Sequence, residues 1–70
     1  MSNNTQAIAD YTQVIRLQPN NGAAFSNRGL AHECIGNLDN AIADFEEALR
    51  LDPNNTSRRN NLERVRRRGQ

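Results

Sequence analysis

The chain has no lysine and no tryptophan, and its 70 residues include one histidine, one cysteine and two prolines. A single cysteine excludes an intramolecular disulfide framework, and one cysteine with one histidine excludes a structural zinc site of the usual four-ligand kind. The four glycines are isolated, so no glycine-rich phosphate loop exists. No apolar run is long enough to span a bilayer. The first residues, Met1 to Thr5, carry neither a basic nor an apolar stretch, so no secretory leader is expected and the location implied is cytoplasmic. Aromatics are 4% of the chain, and the net charge is +1. Overall charge therefore selects no class of partner. Seventy residues make one small domain, expected over 1–70, with little surface to bury.

What the chain does have is an internal repeat. Residues 7–21, AIADYTQVIRLQPNN, align with residues 41–55, AIADFEEALRLDPNN, at a constant offset of 34 with nine of fifteen positions identical. In the later copy Ala41, Ile42, Phe45, Ala48 and Leu49 fall on one face of a helix at 3.6 residues per turn. Ala7, Ile8, Tyr11, Val14 and Ile15 do the same in the earlier copy. Asn3 and Asn37 stand at matching places as N-cap candidates. Pro19 and Pro53 follow the last apolar residues, Leu17 and Leu51, and push the preceding residue out of helical dihedrals.

Between the copies lies a second helical pattern, capped by Asn21 and closed by Gly36. The short link Gly36-Asn37-Leu38 requires the helices on either side to be antiparallel. Beyond Asn55 a last helix has only Leu62 and Val65 as apolar residues. The expectation is an all-α chain of four helices, near 4–17, 23–35, 39–51 and 57–67.

These residues resemble the tetratricopeptide repeat family. Phe25, Arg28, Gly29 and His32 occupy the signature places of its first helix, where the pattern favours an aromatic, leucine, glycine and tyrosine. Ala41, Phe45, Ala48 and Pro53 occupy those of its second helix. Arg28 and His32 depart from the simplest pattern. The resemblance implies antiparallel helical hairpins of a right-handed superhelix. Residues 3–21 would be the second helix of a partial repeat, 22–55 a complete repeat, and 56–70 a capping helix with a basic end. Glycine and alanine at the contact let backbones approach, and the aromatics fill the space beside them.

The resemblance further implies a non-catalytic scaffold or adaptor that binds a peptide or partner helix on the concave face. Carried over by place, that face holds Ser26, Asn27, Leu30 and Glu33, continued by Asn60, Asn61 and Arg64. Asparagine serves a peptide backbone as both donor and acceptor, and Arg64 suits a carboxylate. No catalytic set, cofactor site or metal site is expected. Asp44, Glu46 and Glu47 read as a solvated face, His32 as a packed histidine, and Cys34 as an incidental thiol near the inner surface of its helix.

Charge is uneven. Residues 1–55 hold three arginines and seven acids, a balance of −4, whereas 56–70 hold six arginines and Glu63, a balance of +5. Arg66, Arg67 and Arg68 are candidates for an anionic partner. No aromatics interleave with them for base stacking, and arginine in a last turn also suits the helix dipole, so nucleic acid is not the expected partner. The alternatives to peptide binding are this arginine tail on nucleic acid or another anionic surface, and self-assembly. The first helix lacks the neighbour that would normally cover it, so Ile8, Tyr11 and Ile15 are expected to be only partly covered, which fits a fragment of a longer array, a homo-oligomer or an unusually tolerant short chain.

Overall fold

The structure, a computed structural model, describes residues 3–69. Four helices follow one another: α1 (Asn4–Leu17), α2 (Gly22–Cys34), α3 (Leu38–Leu51) and α4 (Thr56–Arg68). Each bound lies within one residue of the expectation. No strand occurs among the described residues, and no helix there is long and apolar enough to cross a membrane.

Asparagine sets three of the four starts. The Asn3 side chain accepts from the Gln6 amide at 3.0 Å, Asn21 from Ala24 at 3.0 Å and Asn55 from Arg58 at 3.1 Å. Each bond satisfies an amide that the helix itself leaves unpaired. Asn37 differs from the expectation: it occupies the N-cap place of α3, yet its side chain makes no cap bond. Its backbone is instead committed to closing α2. The Asn37 amide donates to His32 O at 2.9 Å and the Gly36 amide to Glu33 O at 3.0 Å, with Gly36 at φ 79°. That pair of bonds requires the left-handed conformation which glycine enters at no steric cost. The turn folds α3 back antiparallel on α2. α1 and α3 stop before Pro19 and Pro53, as the proline rule requires.

The core is small and made at the α2–α3–α4 junction. Ala41, Phe45, Leu62 and Val65 form its buried cluster, flanked by the partly buried Ile42 and Leu49. Phe45 and Val65 are fully enclosed, each burial being worth about 1.5–3 kcal/mol. Gly29 makes the hairpin possible: a Cβ there would lie 2.8 Å from Cε1 of Phe45. The α2 backbone thus rests directly on the aromatic ring. Ala24, Ala31 and Ala48 complete the buried small-residue contacts.

Asp44 corrects the sequence reading. It is buried, 5% exposed, rather than part of a solvated face. Its register explains this: Ala41, Asp44, Phe45 and Ala48 stand at i, i+3, i+4 and i+7 of one stripe, so Asp44 points where its apolar neighbours point. Burial of the carboxylate is compensated by Arg28, whose Nε and Nη2 donate to the two carboxylate oxygens at 2.8 and 2.7 Å. Arg28 Nη1 also donates to Thr12 Oγ1 at 3.2 Å, so one guanidinium ties α1, α2 and α3. Glu46 is exposed as expected. Glu47 is half-buried and pairs with Arg50 one turn on.

Candidate functional site

The residues expected on the concave face fall into two groups. Glu33, Asn61 and Arg64 come together where α4 lies beside α2. Arg64 donates to both Glu33 oxygens, from Nε at 2.9 Å and from Nη2 at 2.6 Å, and from Nη1 to Asn61 Oδ1 at 3.0 Å. Arg68 Nη1 adds a third bond to Glu33 at 2.8 Å. Two arginines one turn apart on α4 therefore clasp one carboxylate on α2. The bonds from Arg64 hold the Glu33 carboxyl below its ordinary range, helped by Arg68 and opposed by partial burial. The same pairing raises Arg64 above its ordinary value.

Asn27 and Leu30 form the second group. With Asn4, Ala7 and Tyr11 of α1 and Ala31 and Cys34 of α2, they line an open groove of about 240 Å³. Asn27, Leu30 and Cys34 are exposed. Ser26 is half-buried and Asn60 exposed, and neither is hydrogen-bonded to the clasp through its side chain among the described residues. The residues expected on that face thus divide between a polar clasp near α4 and a largely apolar groove near α1.

The arginines at the end of α4 are largely engaged with the chain itself. Arg66 meets Glu46 on α3 at 3.0 Å, and Arg68 is held by Glu33. Arg67 donates to the Glu63 carbonyl one turn back. The acidic body and the basic end, separate in the sequence, thus meet across helices at Glu33 and Glu46.

His32 is packed, as expected. Its side chain is 13% exposed, with Nε2 3.8 Å from Asp44 Oδ2 and Nδ1 buried without a partner. Two polar roles escaped the sequence reading. One is the Arg28–Asp44 pair, whose signal was an acid inside an apolar stripe facing an arginine in a leucine place. The other is Arg58, whose Nη1 donates to the Ala48 carbonyl at 3.0 Å and whose guanidinium covers Gly22. A Cβ at Gly22 would collide with that group, so glycine at the start of α2 makes room for an arginine from α4. Nothing in the periodicity singled out Arg58, because its partner is a backbone carbonyl. Among the described residues no group of three histidine, cysteine or acidic side chains is placed to hold a metal.

The sequence model of the tetratricopeptide repeat matches residues 22–55, which run from the first residue of α2 to the N-cap of α4. No curated protein matches the chain. Repeats of this family generally mediate protein–protein interaction. With its glycine-on-aromatic hairpin, its 34-residue period and that match, the chain belongs to the tetratricopeptide repeat family.

Proposed function

We propose that the chain is a non-catalytic scaffold or adaptor module that holds an extended peptide or partner helix on the concave side of α2 and α4, with α4 as the terminal cap of the repeat. The observation that carries this reading is the placement of exposed Asn27 and Leu30 beside the Asn61–Arg64–Glu33 chain on one side of the hairpin. Asn27 offers a donor and an acceptor to a peptide backbone, Leu30 an apolar contact, and Asn60 and Asn61 further amide groups. Ser26 borders this strip. Arg64 contributes as part of the clasp, since its own guanidinium is satisfied by Glu33. The acidic residues inside the hairpin serve structure: Asp44 is spent on Arg28.

The intramolecular pairs of Arg66 and Arg68 favour this reading over an anionic ligand on Arg66, Arg67 and Arg68. A displayed library of random peptides tests the two together. Peptides enriched on the parent chain should lose binding to Asn27→Ala and Asn61→Ala and keep it with Ala43→Gln, on an exposed part of α3. Loss of binding only in the triple Arg66, Arg67, Arg68→Gln variant would move the function to the arginine end. Enrichment indifferent to all of these would end both readings.

A further inference from the structure

The 34-residue period makes the complete half of the molecule a template for the incomplete half. In the complete half, α3 presents Ala41, Asp44 and Phe45 to α2, and α2 answers with Arg28 on Asp44 and Gly29 on Phe45. In α1 the same three places hold Ala7, Asp10 and Tyr11. Ala7 and Tyr11 line the open groove. Asp10 is exposed; it accepts from Gln6 Nε2 at 3.0 Å, and among the described residues no arginine reaches it. The carboxylate that is buried against an arginine in α3 thus stands without a cation in α1, beside a ring with no backbone laid on it.

We propose that the open face of α1 and α2 is a docking site for a partner helix bearing an Arg-Gly pair, the arginine on Asp10 and the glycine on Tyr11, running antiparallel to α1. This site shares Leu30 with the concave face, but its specificity rests on Asp10 and Tyr11 of α1, which the reading of that face does not use. The other wall specifies the partner further. In the template, Arg64 and Arg68 of α4 clasp Glu33, four residues after Gly29. The places of Arg64 and Arg68 are taken in α2 by Leu30 and Cys34. The docking helix therefore needs an apolar residue, not an acid, four positions after its glycine.

A second copy docking through its α4 is excluded by the same register. At the places of Arg28, Gly29 and Glu33, α4 carries Leu62, Glu63 and Arg67. Leu62 leaves Asp10 without a cation. Glu63 puts a side chain where even a Cβ comes within 2.8 Å of the aromatic in the template. Arg67 sets a charge against Leu30 and Cys34, which cannot pair it. α4 of a second copy therefore lacks the residues that the α1 face calls for.

The probe is a synthetic peptide with the sequence of residues 21–36, altered by Glu33→Leu and Cys34→Ser and bridged on its outward face to hold it helical. Fluorescence anisotropy against the full chain should show saturable binding. Arg28→Gln in the peptide, or Asp10→Asn in the chain, should weaken it about tenfold, the share of one charge-assisted hydrogen bond. Gly29→Leu in the peptide should abolish it, and pairing Asp10→Arg in the chain with Arg28→Asp in the peptide should restore part of the loss. Asp10 is exposed, so its variants keep the fold, which helicity by circular dichroism verifies. Amide shifts centred on Tyr11 support the site. Absence of binding, indifference to Asp10, or shifts centred on Phe45 (displacement of the chain's own α2) would overturn it. So would a dimer that persists in Tyr11→Glu and blocks the peptide.

Discussion

α1 and α3 share nine of fifteen aligned residues and differ in what surrounds them. Ala41, Phe45 and Ala48 of α3 are fully buried, whereas α1 has no buried residue at all. Both helices begin at an asparagine, end before a proline and carry the same apolar stripe. Helix formation is therefore local in this chain, and core formation is not. α3 is packed between α2 and α4; α1 touches α2 alone to any extent. The stripe in α1 is a core face without its second wall.

Paired substitutions at matching places test this difference. The largest effect is expected at the aromatic pair. Phe45→Ala removes the ring on which Gly29 rests and should cost about 3–5 kcal/mol, enough to unfold a domain of this size. Tyr11→Ala should cost less than half as much, since its ring is half-exposed. Chemical denaturation of both variants gives the comparison directly, and equal losses would mean that α1 is part of the core.

The acid pair follows. Asp44→Asn leaves Arg28 without its counter-charge in a largely buried place and should cost about 3 kcal/mol. Asp10→Asn should stay within about 0.5 kcal/mol of the parent. A smaller loss, about 1–2 kcal/mol, is expected for Gly36→Ala, which forces a side chain into the left-handed turn. Gly69→Ala, at φ −81° at the C-cap of α4, should be near neutral.

The smallest effect is the pH response of the α2–α4 clasp. Glu33 binds its proton less readily in the folded chain than in the unfolded one. Its contribution to stability is therefore complete above the ordinary glutamate value of 4.5 and is lost as pH falls through the lowered folded value. Arg64 and Arg68 are about half-exposed, so the contribution is about 1 kcal/mol or less. Urea midpoints measured from neutral to acid pH should fall less steeply in Glu33→Gln than in the parent. Glu47 is also lowered by its neighbour Arg50, but that pair joins two residues of one helix at the surface. Glu47→Gln should therefore barely alter the profile.

The sequence made the helices legible because asparagine caps, prolines and 3.6-residue periodicity all act within a turn or two. It made the Gly29–Phe45 contact legible because the repeat pattern carries it. The Arg28–Asp44 pair was hidden because Asp44 alone reads as a solvated acid and Arg28 alone as a departure from the repeat pattern. Read together, an acid at i+3 of an apolar stripe and an arginine in a leucine place are the two halves of one buried pair. The Arg64–Glu33–Arg68 clasp lay beyond local patterns, since its partners are 31 and 35 residues apart and meet only once α4 lies beside α2. Asn37 shows the opposite failure: a correct cap position whose backbone is drawn into the preceding turn and whose side chain makes no cap bond.

Amide hydrogen exchange in the monomeric chain tests most directly whether one sequence pattern is enclosed at one end and open at the other. The account predicts that Phe45 and Ala48 exchange only through global unfolding, while Tyr11 and Val14 exchange orders of magnitude faster through local opening of α1. Equal protection of the two helices in a chain of monomeric mass would contradict it.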